Sequence, residues 1–112
     1  LARGQNNLGE LYHEGQGVEQ DFKEAVKWYQ KAADQGYAIA QSNLGRMYEK
    51  GQGVTKGAVT AYAWYNIAAA SGDAGAKEDK SKLVKQMTPD QIAKAEELVK
   101  EMVKKNPKLI TK

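Results

Sequence analysis

Few side chains in this 112-residue chain have the types and spacing that chemistry needs. His13 stands between Glu10 and Glu14. An imidazole with two carboxylates inside one helical turn is a minimal metal-ligand set. It is a poor one, because the chain has a single His and the residue 36 positions on is Glu49. His13 is expected as an exposed surface side chain. There is no Cys, which removes disulfides, thiol nucleophiles and thiolate metal sites. Gly15-Gln16-Gly17 and Gly51-Gln52-Gly53 lack the preceding strand that a nucleotide-phosphate loop requires. The pairs Trp28-Tyr29 and Trp64-Tyr65 offer rings on which a sugar could stack. Each lies on an apolar stripe with Ala at i+4, so core packing is the expected role. No nucleophile–base pair is visible. The sequence therefore predicts no catalytic residue, no metal, no cofactor and no enzyme.

The elements that position these residues are stated twice. Leu8-Gly9, Tyr12, Gly15-Gln16-Gly17-Val18, Ala25, Trp28-Tyr29, Ala32-Ala33 and Gly36 return at Leu44-Gly45, Tyr48, Gly51-Gln52-Gly53-Val54, Ala61, Trp64-Tyr65, Ala68-Ala69 and Gly72. Every pair is 36 residues apart. A fixed period of this size means stacked supersecondary units, each too small to bury its own apolar face. Each unit reads as two helices. The first carries Ala2, Leu8, Leu11 and Tyr12 on one face, echoed by Ala38, Leu44, Met47 and Tyr48. The second carries apolar residues at 25, 28, 29, 32 and 33, echoed at 61, 64, 65, 68 and 69, which is the spacing of a helical stripe.

The glycines fit this reading. Gly15 and Gly51 fall where a helix ends in the left-handed region. Gly9 and Gly45 lie mid-helix, where Gly costs on the order of 1 kcal/mol against Ala; their recurrence predicts close approach of a neighbouring Trp or Tyr. Val18 and Val54 are placed to plug the end of each helix pair. Phe22, Tyr37 and Tyr62 have no echo and are expected to be partly exposed. Asp21 with Glu24 forms a capping pair that Gly57 and Thr60 do not reproduce.

From Gly72 a third unit begins and degenerates: Lys80-Ser81 replace the Leu-Gly pair. Met87-Thr88-Pro89-Asp90-Gln91 then predicts a capping box with Pro in the first turn. The helix that follows has Ile92, Ala95, Leu98, Val99, Met102 and Val103 on one side and mostly charged residues on the other, as a closing helix requires. Asn106-Pro107 ends it, and 106–112 reads as a basic, frayed C-terminal tail. The domain boundaries are thus 1–36, 37–72 and a degenerate capping unit 73–105. The first helix has no equivalent cap. That end is expected to meet upstream repeats, or to self-associate.

Net charge is +3, from 17 basic and 14 acidic residues. The excess sits among the C-terminal lysines without interleaved aromatics, so a solvated face is expected rather than nucleic-acid binding. No run approaches the roughly 20 apolar residues of a membrane span. The chain opens at Leu1 inside a repeat, like a processed piece whose signal peptide would lie outside it.

The motifs quoted above resemble Sel1-like repeats, 36-residue relatives of tetratricopeptide repeats. Repeat one matches that family's pattern from Leu8 to Gly36; repeat two lacks the Asp at Gly57. The resemblance implies an all-α, right-handed α-α superhelix of two full repeats plus a degenerate C-terminal capping helix pair. Its concave surface would be lined by the first helices. It also implies a bacterial scaffold, periplasmic or secreted. The disulfide-rich relatives linked to β-lactams differ from this Cys-free chain. On that architecture the outward positions are Asn6, Asn7, Glu10 and His13, then Ser42, Asn43, Arg46 and Glu49, then Glu78, Asp79, Lys82 and Lys85. Asn7 and Asn43 are singled out, because a side-chain amide can hold a peptide backbone through donor and acceptor together. The expected function is non-catalytic binding of a protein or peptide. The alternatives are an envelope hydrolase or a purely structural segment of a longer array.

Overall fold

A computed structural model describes residues 1–110. Among these described residues six α-helices follow one another: α1 (Ala2–Glu14), α2 (Phe22–Asp34), α3 (Ala38–Lys50), α4 (Ala58–Ala70), α5 (Ala74–Val84) and α6 (Pro89–Lys105). A 3₁₀ turn, Pro107–Leu109, comes last. Helices α1 and α2 pair, α3 and α4 pair in the same way, and α2 packs on α3. The echo in sequence is therefore an echo in space, down to matching helix boundaries.

Turn chemistry fixes those boundaries. Gly15 and Gly51 end α1 and α3 at φ 70° and 71°. Asp21 starts α2 by accepting from the Glu24 amide at 3.1 Å. Its own N–H donates to the Tyr12 carbonyl at 2.9 Å, so the Asp21–Glu24 pair does not close into a full box. Gly57 starts α4 without a side-chain cap, yet keeps the same extended backbone and the equivalent bond to Tyr48 O. The box at α6 is complete: Thr88 Oγ1 accepts from the Gln91 amide and Gln91 Oε1 from the Thr88 amide.

The close approach at the mid-helix glycines is to tyrosine. A Cβ on Gly9 would lie 2.6 Å from the Tyr29 ring, and one on Gly45 would lie 2.8 Å from the Tyr65 ring. The two rings rest on the bare backbone of the helix in front. Tyr29 and Tyr65 are buried with Ala25, Ala32, Ala33, Ala61 and Ala68.

The two copies are not equally buried. Leu44 and Met47 are fully enclosed, whereas their counterparts Leu8 and Leu11 are 38% and 37% exposed. Val54 packs on the core, but Val18 stays exposed and plugs nothing. Trp64 is buried; Trp28 is only half covered, with Lys31 Nζ 4.4 Å from its ring centroid. The cause is common to all four. In repeat two these faces meet a neighbour, and in repeat one they do not. Tyr62 corrects the expectation of partial exposure, since α5 and α6 leave it 5% exposed.

The closing unit departs from a third repeat. Helix α5 takes the place of a first helix against α4, with Asp73 capping it through the Gly75 and Ala76 amides. Helix α6 does not pair with α5 as α2 pairs with α1. It lies along α4, where Val99, Met102 and Val103 join the main core. The frayed-tail expectation fails for residues 106–110. Leu109 is buried, and Asn106 Nδ2 donates to Asp34 O at 2.8 Å. The last two residues of that tail, 111 and 112, lie outside the described residues.

Candidate functional site

The first helices carry a ladder of polar side chains from one unit to the next. Asn6, only 2% exposed, accepts from Asn43 Nδ2 at 3.0 Å. Asn43 Oδ1 accepts from Arg46 Nη1 at 2.7 Å, and Ser42 Oγ from Arg46 Nη2 at 3.3 Å. Arg46 Nε then reaches Asp79 on α5 at 3.6 Å. The guanidinium thus spends one edge on its own helix and turns the other to the next unit, the use for which its planar fork is suited. An exposed ion pair alone contributes little; here the hydrogen bonds within α3 hold the arginine in place.

Asn7 and Asn43 do not act as a matched pair. Asn7 is exposed, and the bond between units runs from Asn43 to Asn6 instead. The partner of Asn43 in the first unit lies 37 residues away, one more than the sequence period. Asp79 is the ladder's far end, and its place was legible: it stands 36 residues after Asn43.

His13 is not an exposed side chain. It is half-buried, its ring tilted against Phe22 at 5.4 Å, with Nε2 3.2 Å from Gln52 Oε1. It links the first unit to the turn of the second. Among the described residues, Glu10, His13 and Glu14 form no cluster able to hold a metal ion. Glu49, its counterpart, accepts from the Tyr65 hydroxyl at 2.6 Å. That pairing escaped the sequence reading, which put Glu49 on the outward face and Tyr65 on the apolar stripe. Glu78 and Lys82 pair with each other at 3.6 Å, both well exposed.

Both tyrosines titrate late. Burial pushes the Tyr29 hydroxyl upward, and the Glu10 and Glu14 charges add to this while Arg46 opposes it. Burial also raises Tyr65, helped by its hydrogen bond to Glu49 and by the charges of Glu49 and Asp79, again against Arg46. A hydroxyl held neutral in the fold but free to ionise in the unfolded chain makes stability fall as pH rises above about 10. Each tyrosine contributes a slope of up to about 1.4 kcal/mol per pH unit there. Alkaline melts followed by circular dichroism are expected to show this loss, and Tyr65→Phe should make it shallower. An unchanged slope in that variant would refute the assignment.

Paired helices repeated at a fixed register, with polar side chains laddered along the first helices, define an α-solenoid of the tetratricopeptide-like class. The Sel1 repeat family matches residues 2–37 and 38–73. The chain belongs to that family. Among solved structures, it is similar to c5321, a protective antigen of uropathogenic Escherichia coli strains displaying an SLR fold. The identity is 32%, the TM-score 0.91, and the match covers 97% of this chain and 24% of that one. A Sel1 repeat protein from Oxalobacter formigenes is 45% identical over 73% of this chain and 62% of its own, with a TM-score of 0.71. The chain therefore spans less than two thirds of either. No curated protein matches it. The sources of both structures suggest a bacterial chain. Proteins built from these repeats are generally non-catalytic scaffolds, which supports a protein-interaction repeat module. Among the described residues, no helix is long and apolar enough to cross a membrane.

Proposed function

We propose that this chain is a non-catalytic interaction module whose first-helix face binds a peptide or protein segment. The supporting observation is the Asn6–Asn43–Arg46–Asp79 ladder, which fixes side chains across three consecutive units. A surface ordered beforehand loses less conformational freedom on binding. Asn6, Ser42 and Glu49 form its frame, and His13 ties the frame to the next turn. Asn7, Glu10, Arg46, Glu78 and Lys82 face the partner. Carboxylates outnumber cations around Arg46, so the face suits a polar segment with its own N–H donors and at least one basic side chain.

Peptides selected for binding to the folded chain test this. Arg46→Ala and Asn7→Ala are each expected to weaken the selected peptides tenfold or more, with the melting temperature nearly unchanged. Selected peptides that bind both variants as they bind the parent would refute the reading, as would loss of folding in Asn7→Ala.

A further inference from the structure

The two recurrent tyrosines end differently. Each ring rests on the mid-helix glycine of the helix in front, so each hydroxyl projects toward the following turn of that helix. In repeat two it meets Glu49, four residues after Gly45, at 2.6 Å. The equivalent position in repeat one is His13, whose ring turns away to Phe22 and Gln52. Among the described residues the Tyr29 hydroxyl has no hydrogen-bond partner, although the residue is only 3% exposed. The oxygen itself still reaches solvent. A tyrosine buried to this degree ordinarily has its O–H paired.

Two carboxylates stand beside that hydroxyl. Glu10 and Glu14 lie on the same stretch of α1, both are exposed, and the charge of each acts on Tyr29. Among the described residues neither is in an ion pair. Their counterparts on the other first helices are engaged: Glu49 by Tyr65, Asp79 by Arg46 and Glu78 by Lys82. Arg46, the cation that also bears on Tyr29, is spent on Asn43, Ser42 and Asp79. Two carboxylates alone would be a solvated surface. The open phenol adds a third acceptor, held in place by the packing of its ring on Gly9.

We propose that Glu10, Glu14 and the Tyr29 hydroxyl seat a primary ammonium, the side chain of a lysine in the bound partner. An ammonium carries three N–H donors and no acceptor. It can give one to each carboxylate and one to the phenol oxygen. This seat rests on the reading of the first-helix face as the binding face, and adds the side chain that the face selects.

N-acetyl-lysine N-methylamide, titrated into the isotope-labelled full chain, tests the seat. Saturable shifts are expected at the Glu10 and Glu14 amides and at the Tyr29 ring. The norleucine analogue keeps the length without the charge, and the trimethyl-lysine analogue keeps the charge without the donors. Each should bind at least fivefold more weakly. Tyr29→Phe keeps the ring on Gly9 and removes only the oxygen, and is expected to weaken the lysine probe about fivefold. Tyr65→Phe, whose hydroxyl is already held by Glu49, should leave the affinity unchanged. Trimethyl-lysine that binds as lysine does, or a folded Tyr29→Phe chain with unchanged affinity, would overturn the proposal. The probe carries no peptide backbone to be placed along the face, so the two readings fail separately. Selected peptides indifferent to Arg46→Ala count against the face and not the seat. A chain indifferent to the lysine probe counts against the seat and not the face.

Discussion

Gly53→Ala is expected to cost about 3 kcal/mol, and Gly17→Ala about 1 kcal/mol. The two glycines are equivalent in the repeat and have the same φ of 76°. The strain of placing an L-residue in the left-handed region is therefore common to both and cancels from the comparison. What differs is the neighbour. A Cβ on Gly53 would lie 2.5 Å from the Phe22 carbonyl oxygen and 2.9 Å from Lys23 N, whereas one on Gly17 would meet nothing within 4 Å. Backbone cannot rotate aside as a flexible side chain does, so the turn of repeat two would have to lift from the start of α2. Thermal or denaturant unfolding of the two variants measures the difference directly. Equal losses would mean that the repeats do not touch through this turn.

Leu44→Ala is expected to cost about 3 kcal/mol, against less than about 1 kcal/mol for Leu8→Ala. Both leucines precede the recurrent mid-helix glycine. Leu44 is fully enclosed, so its truncation leaves a cavity whose walls belong to both repeats. Leu8 is 38% exposed, and the space it vacates fills with water. A domain of this size loses roughly 4–8 °C of melting temperature per kcal/mol. The Leu44 variant should therefore melt well over 10 °C lower while the Leu8 variant shifts by a few degrees. Similar shifts for both would show that the face around Leu8 is covered in solution.

These contrasts mark how far the sequence could be read. Helix boundaries were legible because Gly15, Gly51, Asp21 and the Thr88–Gln91 box each act on the backbone within a few residues. The tight packing at Gly9 and Gly45 was legible as a recurring expense, though not that tyrosine rather than tryptophan lies against it. Burial was not legible, because a period of 36 assigns Leu8 and Leu44 the same surroundings and only stacking separates them. The same holds for the site. Arg46 and Asn43 could be placed on the outward face, but their bonds to Asn6 and Asp79 depend on the offset between helices of different units. The docked tail was missed for another reason. Asn106-Pro107 signals a helix stop, and nothing local in Lys108-Leu109-Ile110 says that the leucine turns inward.

The returning tail also changes how the molecule comes apart. A linear array holds only neighbour-to-neighbour contacts, so it can unzip one unit at a time from either end. Here the bond from Asn106 to Asp34 spans 72 residues, and that from Gln41 to Leu109 spans 68. Residues 106–109 are clipped to the first unit's second helix and to α3. Helices α2 and α3 therefore cannot part from the segment after α6 without breaking these bonds. Closing that loop puts long-range order into an otherwise local topology and slows the final step of folding. In return, α2, α3 and the closing unit are tied by bonds that neighbour-to-neighbour stacking does not supply.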